Sequence, residues 1–274
     1  MPSRLKDLSR LCVHSISLRP LSLPDIVKLF SEEGIPGITV WREHVEPLGT
    51  KEASQILRDS GLNVVSLCRG GFFPARSAAA RTQARVDTLK AIDEAHEIGA
   101  PLLILVCGAA PKLDLNVARQ QIADGIASVL PHAKQAGVKL AIEPLHPMYA
   151  DTRSAIISLE QANNLVFSLN HPNLGVAIDV YHVWWDPYLK SEIDRARGHI
   201  FAFHVSDWRV PTRDLLYDRA LMGEGCINIP EIRSWVEQSN FHGWIEVEIL
   251  SEELWQQEPR TLLRRIKHAY LHAV

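Results

Sequence analysis

Short apolar segments alternate with longer amphipathic ones along the chain, and this alternation constrains the fold more than any other feature of the sequence. The apolar runs predict strands near 11–18, 36–41, 62–68, 101–107, 138–143, 174–179, 199–205 and 243–250. Helical periodicity predicts helices at about 24–34, 51–61, 77–99, 115–136, 154–168, 189–197, 230–240 and 258–273. Each predicted strand is followed by one predicted helix, which is typical of βαβ units.

Proline and glycine support several of these boundaries. Pro24 and Pro230 suit a first helical turn, where the missing N–H costs nothing. A glycine follows four predicted helices, where a left-handed C-terminal cap is needed: Gly34, Gly61, Gly99 and Gly137. No linker or low-complexity tract divides the chain, so we expect one domain over residues 1–274. Eight consecutive βα units close most simply into a single (β/α)8 barrel, the TIM barrel, whose usual size is about 250 residues.

Polar side chains end four of the predicted strands. They are Glu143 in LAIEP, Asp179 in VAIDVYH, His204 in FAFHVSDW and Glu248 in IEVEIL. Side chains at i and i−2 share one face of a strand, so the first three lie above the alanines at 141, 177 and 202. The opposite face carries bulky apolar residues, among them Phe201 and Phe203. Glu246 lies beneath Glu248, and we choose Glu248 for the site because it is nearer the end of the strand.

The C-terminal ends of the strands form the active-site face of such barrels. The four polar residues end strands five to eight, so their side chains are able to converge. Three carboxylates and one imidazole suit a divalent metal ion, since no thiolate selects a softer one. We expect one Mn2+, with Mg2+, Co2+ and Zn2+ as alternatives. The longest connection, about 206–229, is expected to cover the site.

Composition limits the partners and the compartment. The formal net charge of −3 gives no electrostatic reason to expect nucleic acid or an anionic membrane. The first residues lack an uninterrupted apolar segment, so we predict neither a signal peptide nor a membrane span, and a cytoplasmic location. The four cysteines show no CxxC spacing and are expected to be free thiols, at positions 12, 68, 107 and 226.

Five segments resemble a known family: IEP at 142–144, DVYH at 179–182, HVSD at 204–207, GEG at 223–225 and GWIEVE at 243–248. They look like the xylose isomerase-like TIM barrels, the sugar phosphate isomerase/epimerase superfamily. The resemblance implies that Glu143, Asp179, His204 and Glu248 bind one divalent metal. It also implies that Glu143 and Glu248 form the acid/base pair and that His182 contacts a substrate oxygen. The expected function is a metal-dependent isomerase or epimerase of a ketose or sugar phosphate, acting through a metal-stabilised enediolate.

The chain departs from the family pattern at two positions. A family epimerase often has a glutamate six residues beyond its first ligand glutamate and an arginine six beyond its histidine, where this chain has Tyr149 and Val210. His146 is a candidate replacement for the glutamate, and Arg209 or Arg213 for the arginine.

Aromatic and charged side chains near the strand ends predict how a small carbohydrate is bound. We expect Trp184 and Trp208 to form flat walls for the sugar, and Arg209 and Glu224 of the long loop to contact it. Four arginines are able to bind a phosphate or carboxylate in bidentate fashion, which leaves phosphorylation of the substrate open: Arg42, Arg69, Arg209 and Arg213.

Three other functions compete. An inosose- or dehydroshikimate-type dehydratase would use the same metal and base on the same scaffold. An apurinic-site endonuclease would need extra histidines on the third and fourth strands, which end in SLCRGG and LVCGAA and contain none. A catalytically silent sugar-binding barrel would hold no metal. The sequence leaves a homo-oligomer open.

Overall fold

A computed structural model describes residues 4–274, and its parallel strands form a closed eight-stranded barrel. The strands are β1 Leu11–His14, β2 Gly37–Trp41, β3 Asn63–Gly71, β4 Leu102–Val106, β5 Lys139–Glu143, β6 Leu174–Asp179, β7 Ile200–Val205 and β10 Ile245–Val247. A separate antiparallel ribbon pairs β8 Asp207–Trp208 with β9 Arg219–Ala220. Around the barrel, each strand pairs with its sequence neighbours, and β10 closes it between β7 and β1.

Helices follow the strands, which confirms the predicted (β/α)8 barrel. They are α1 Leu23–Glu32, α2 Arg42–Val45, α3 Thr50–Ser60, α4 Ala78–Glu97, α5 Leu115–Ala136, α6 Leu159–Leu169, α7 Val180–Val183, α8 Leu189–Arg195, α9 Ile229–Gln238, α10 Glu252–Trp255 and α11 Pro259–Ala273. The short helices α2, α7 and α10 were not predicted, because a single turn is too short to show a helical period. The four predicted cap glycines all have positive φ, and Pro24 and Pro230 lie in first turns.

The first and last strands are shorter than predicted. β1 ends at His14, and Ser15–Leu18 forms a 3-10 turn, while β10 ends at Val247. The Ser17 hydroxyl replaces the missing ladder bonds, because it donates to the Val247 carbonyl at 3.3 Å and accepts from the Ile249 N–H at 3.0 Å. Glu248 therefore lies one residue beyond its strand.

Small side chains line the interior of the barrel below the site. Ala141, Ala177 and Ala202 are fully buried and pack inside it against Leu102 and Ile104. The bulky residues that alternate with them belong to the larger core between the strands and the helices, among them Leu140, Ile142, Val176, Ile178, Phe203 and Val205. This division agrees with the two faces predicted from the period of two.

The prediction for Phe201 is wrong, because Phe201 packs against the interior cluster rather than on the outer face with Phe203. The pairing of β6 with β7 shifts here: Val176 lies opposite Ile200, and Ala177 lies opposite Ala202. Phe201 is therefore the extra residue of a bulge, and a bulge reverses the local alternation.

Two further predictions concern the whole chain. The four cysteines are free, with Cys226 exposed and the other three buried. Among residues 4–274, no helix is both long enough and apolar enough to cross a membrane.

Candidate active site

Four polar side chains converge at the C-terminal end of the barrel. Glu143 ends β5, Asp179 ends β6, His204 lies on β7, and Glu248 follows β10. Each offers one potential ligand atom, and these atoms all lie within 4.8 Å of one another. His204 Nδ1 lies 3.0 Å from Glu143 Oε1 and 3.7 Å from Glu248 Oε2. The structure therefore brings together the four residues predicted from the strand ends.

The donor set of this group suits a divalent cation. It consists of one imidazole nitrogen and three carboxylates, and all four residues are at least 95% buried. Buried carboxylates need a compensating charge, and oxygen donors with one imidazole are ligands for Mg2+, Mn2+ or Zn2+. The group is thus able to hold a divalent metal, and its identity stays open.

Arg219 of β9 supplies the positive charge that is nearest to this group. Its Nη1 atom donates to Asp179 Oδ2 at 2.8 Å, to Glu248 Oε2 at 2.9 Å and to Ser206 Oγ at 3.2 Å. The residue is only 4% exposed. One buried guanidinium therefore joins two of the candidate ligands.

Sequence reasoning missed Arg219. The family pattern has an arginine six residues beyond the histidine. Arg219 instead lies fifteen residues beyond His204, in the long loop. The proposed replacements Arg209 and Arg213 instead contact Asp218, with Arg209 Nε 3.0 Å from Asp218 Oδ1. The only sequence signal for Arg219 is its place in the long loop, four residues before the GEG segment.

This arrangement shifts the pKa values of the two carboxylates that Arg219 contacts. Burial disfavours the charged form of Glu248, but Arg219 and His204 outweigh it and hold the pKa of Glu248 well below its usual range. Burial raises the pKa of Asp179 to about 7, against the opposing effect of Arg219. One guanidinium therefore offsets the negative charge of the group only in part, and a divalent cation would offset more of it.

Glu246 is a further buried carboxylate and lies one layer below. Its Oε2 atom accepts from Thr39 Oγ1 at 2.5 Å and from Ser66 Oγ at 3.1 Å, so its partners are hydroxyl groups of β2 and β3. His14 Nε2 and His204 Nε2 lie 3.5 and 3.7 Å from the same oxygen. The imidazole of His204 is thus between two carboxylate layers, with Nδ1 facing the upper and Nε2 the lower.

The carboxylates on both sides of His204 change its pKa. Burial opposes its protonation, but Glu246 and Glu143 outweigh burial and raise the pKa of His204 well above its usual range. In metal-binding proteins, a ligating histidine usually directs its second nitrogen at a carboxylate or carbonyl. The Glu246 carboxylate faces the second nitrogen of His204, Nε2. Glu246 is not part of the upper group, which contains Glu248.

His182, which is predicted to contact a substrate oxygen, lines the site cavity. It is 4% exposed, its Nδ1 accepts from the His146 N–H at 3.3 Å, and its Nε2 lies 3.2 Å from Arg219 Nη2. Burial, and then Arg219, lower the pKa of His182 well below its usual range, so the imidazole is neutral at pH 7.

Four other predicted substrate contacts do not line the cavity, namely Trp184, Trp208, Arg209 and Glu224. Trp184 and Trp208 contact each other, with ring centroids 5.5 Å apart, and pack against the main core. Arg209 is bound by Asp218, and the exposed Glu224 pairs with Arg265 of α11 at 2.7 Å. Positions near strand ends in the sequence therefore do not by themselves place a side chain in the cavity, because the core and other charged groups take these four as partners.

The long loop covers the site, as predicted. Leu216 and Arg219 of this loop line the cavity together with Tyr149 and Trp41, and the Tyr149 hydroxyl donates to the Leu215 carbonyl. The space that remains is about 20 Å3, enough for about one water molecule. In this conformation the cavity is therefore too small for a sugar.

Comparisons with known proteins agree with this geometry. The chain is 27% identical over 200 residues to L-ribulose-5-phosphate 3-epimerase UlaE of Escherichia coli (strain K12 / DH10B), covering 71% of this chain and 67% of that protein. It is 43% identical to the protein SMc04130 of Sinorhizobium meliloti 1021, whose crystal structure superposes with a TM-score of 0.95 over 97% of this chain and 99% of that one. The IolI protein, solved with a bound zinc atom, shares the fold at 18% identity, with a TM-score of 0.85 over 97% of this chain and 98% of that one.

The chain also matches the profile of a protein family. The profile of the xylose isomerase-like TIM barrel matches residues 27–266. That range contains seven of the eight barrel strands and all four converging side chains. The chain therefore belongs to the xylose isomerase-like TIM barrel family.

Proposed function

We propose that the protein is a divalent-metal-dependent isomerase or epimerase of ketoses or their phosphates, which acts by proton transfer next to the carbonyl carbon. The observation that carries the proposal is the convergence of Glu143 and Glu248 with Asp179 and His204 in one buried group. Glu143 and Glu248 come from β5 and from the end of β10, and β6 and β7 separate these strands. The two carboxylates therefore come from strands that are not adjacent, and the proposal assigns them to opposite sides of the substrate.

In this proposal all four residues hold one divalent ion, which supplies electrostatic stabilisation for the negative charge that develops on the substrate oxygens. The oxygen-rich donor set favours Mn2+, with Mg2+, Co2+ and Zn2+ as the other candidates. The named relative UlaE is an epimerase of a ketose phosphate and IolI was solved with zinc, which supports a metal-dependent reaction of this class.

Glu143 and Glu248 also serve as the acid/base pair. Arg219 and His204 hold Glu248 ionised, which is the state required to accept a proton from one face of the substrate. Glu143, on the other side, returns a proton to the opposite face. Removal and return on opposite faces give epimerisation, whereas one base moving a proton between adjacent carbons gives isomerisation.

Two neighbouring groups position the substrate. The neutral His182 lines the cavity and is placed to contact a substrate oxygen without adding charge to the site. Arg219 restrains Asp179 and Glu248 through its two short hydrogen bonds, and its Nη2 faces the same cavity as His182.

The test is proton exchange in deuterated water. Metal-loaded wild-type protein is incubated with a panel of ketoses and ketose phosphates, and deuterium in the product is read by NMR and mass spectrometry. We expect Glu143→Gln and Glu248→Gln each to lower exchange by roughly 100- to 10,000-fold. Glu160→Gln, an exposed residue of α6, is the matched control and should leave exchange unchanged.

Near-normal exchange in either site variant would remove that residue from the acid/base pair. An unsaturated product formed with loss of water, rather than an epimer, would assign the site to a dehydratase instead. Protein that binds none of the four metal ions would overturn the proposal as a whole.

A further inference from the structure

Arginines near the site differ in whether a carboxylate neutralises them. Three of the four that the sequence singled out are paired: Arg42 with Asp87 and Glu94, and Arg209 and Arg213 with Asp218 and Glu253. Arg42, for example, donates to Glu94 at 2.6 Å and to Asp87 at 2.9 Å. These guanidiniums are already occupied, so they have little capacity left for a ligand.

Arg69, at the end of β3, is the exception among the four. Within the described part of the chain, no carboxylate lies within 4.0 Å of its guanidinium, and its contacts are the faces of aromatic rings. The guanidinium carbon is 5.0 Å from the centroid of Trp41 and 5.5 Å from that of Phe72. The side chain is half-buried. Its charge is therefore held in place by apolar groups and is left without a counter-ion.

Arg153, in the loop after β5, shares this condition. Its guanidinium carbon lies 5.5 Å from the centroid of the Tyr149 ring, and residues 4–274 provide no carboxylate within 4.0 Å of it. It is also half-buried. Burial lowers the pKa of Arg153, and so does the nearby positive charge of Arg69. The two cations therefore repel each other.

Both arginines line the cavity that also contains Glu143, His182 and Glu248. Arg69 also lines a groove of about 180 Å3 together with Trp41 and Phe72. Glu43 and Glu46 line the same groove, and neither forms an ion pair with Arg69 within 4.0 Å. An anion in the site cavity therefore faces two guanidiniums that have no ion-pair partner.

Two half-buried like charges that have no carboxylate within ion-pair distance are stabilised when a ligand supplies the opposite charge. Planar guanidiniums match phosphate and carboxylate oxygens in bidentate geometry. We propose that Arg69 and Arg153 form an anion subsite, so that the substrate is a ketose that carries a phosphate ester or a carboxylate at the end remote from the reacting carbon. This inference rests on the proposed function, because it assigns the substrate class of the same site.

The first experiment compares matched substrates on the metal-loaded protein. Each ketohexose of a panel is supplied as the free sugar, the 6-phosphate and the 6-carboxylate, and exchange in deuterated water gives kcat/KM. We expect the anionic form of the reactive sugar to be favoured by at least about 100-fold, the effect of two charge-assisted contacts. The preferred anion distinguishes phosphate from carboxylate. Equal kcat/KM for the free sugar and both anionic forms would overturn the inference while leaving the proposed function intact.

The second experiment substitutes the arginines. Arg69→Met and Arg153→Met keep the apolar stem over the rings and remove the charge. Each should lower kcat/KM for the anionic substrate about 10- to 100-fold, mainly through KM, and change that for the free sugar less than about threefold. Arg69→Lys should recover part of the loss. Arg85→Met, an exposed residue of α4, is the control. Equal losses for charged and free sugars would contradict the assignment.

A third measurement does not depend on turnover. Calorimetry with inorganic phosphate should show binding to the metal-loaded wild type that weakens about tenfold or more in Arg69→Met and Arg153→Met. Unchanged affinity would mean that phosphate contacts only the metal, and would overturn the subsite. If phosphate binding depends on the arginines but no ketose exchanges protons, the subsite stands and the proposed function fails.

Discussion

Replacement of Arg219 by methionine tests the electrostatic basis of the site most directly. The variant keeps a long apolar stem but removes the guanidinium that donates to Asp179 at 2.8 Å and to Glu248 at 2.9 Å. Asp179 is fully buried and Glu248 is 4% exposed, so water does not take over the lost hydrogen bonds. Breaking a buried ion pair by removing one partner costs about 3–5 kcal/mol.

In metal-free protein we therefore expect Arg219→Met to lower the free energy of unfolding by about 3–5 kcal/mol. At about 2–4 °C per kcal/mol for a chain of this size, Tm should fall by roughly 6–20 °C. In metal-loaded protein a divalent ion would compensate the same carboxylates, so the difference between the variant and the wild type should shrink by at least about half.

The assay is thermal and urea unfolding at pH 7.5, followed by circular dichroism, with a chelator and with added Mn2+. Arg213→Met is the control, since it also removes an arginine from a carboxylate pair, but one whose guanidinium is half-exposed. A metal-free Arg219→Met protein as stable as the wild type would refute the role of Arg219 as the buried counter-ion. A stability difference that metal leaves unchanged would refute metal binding by Asp179 and Glu248.

Two further predictions concern residues outside the upper group. Glu246→Gln should weaken metal binding about 10- to 100-fold in a competition titration, because the Glu246 carboxylate lies 3.7 Å from Nε2 of His204 and is the charge that faces this nitrogen; unchanged affinity would show that this carboxylate does not orient His204. Glu33 lies between Lys267, Arg260 and Arg264 at 2.7, 2.8 and 3.1 Å, and their hydrogen bonds lower its pKa to about 2. A carboxylate with a lowered pKa stabilises the folded state above its unfolded pKa, and this effect is lost as pH falls through the folded value. Glu33→Gln should therefore have a lower Tm than the wild type at pH 7, with a difference that narrows as pH falls from about 4.5 toward 2. A difference that does not vary with pH would contradict this assignment.

Local patterns in the sequence were sufficient to predict the barrel and the convergence of Glu143, Asp179, His204 and Glu248. The reason is that strand and helix periods are short-range properties, and the C-terminal ends of parallel strands in a barrel all meet at one face. The alanines beneath three of these residues followed from the period of two. Phe201 departed from that period because a bulge depends on pairing with the neighbouring strand, which the local pattern does not contain.

The partners of the loop side chains became known only from the tertiary structure. Arg219 reaches the site because the ribbon of β8 and β9 folds back over the strand ends, whereas Trp184, Trp208 and Glu224 do not line the cavity. Arg42, Arg209 and Arg213 resemble Arg69 in the sequence, but only the folded chain shows that those three have carboxylate partners and that Arg69 has aromatic neighbours. Whether a charge is neutralised depends on groups distant in sequence. The sequence by itself therefore determined the scaffold and the residues able to bind a metal, and the tertiary structure decided which charges remain free for a substrate.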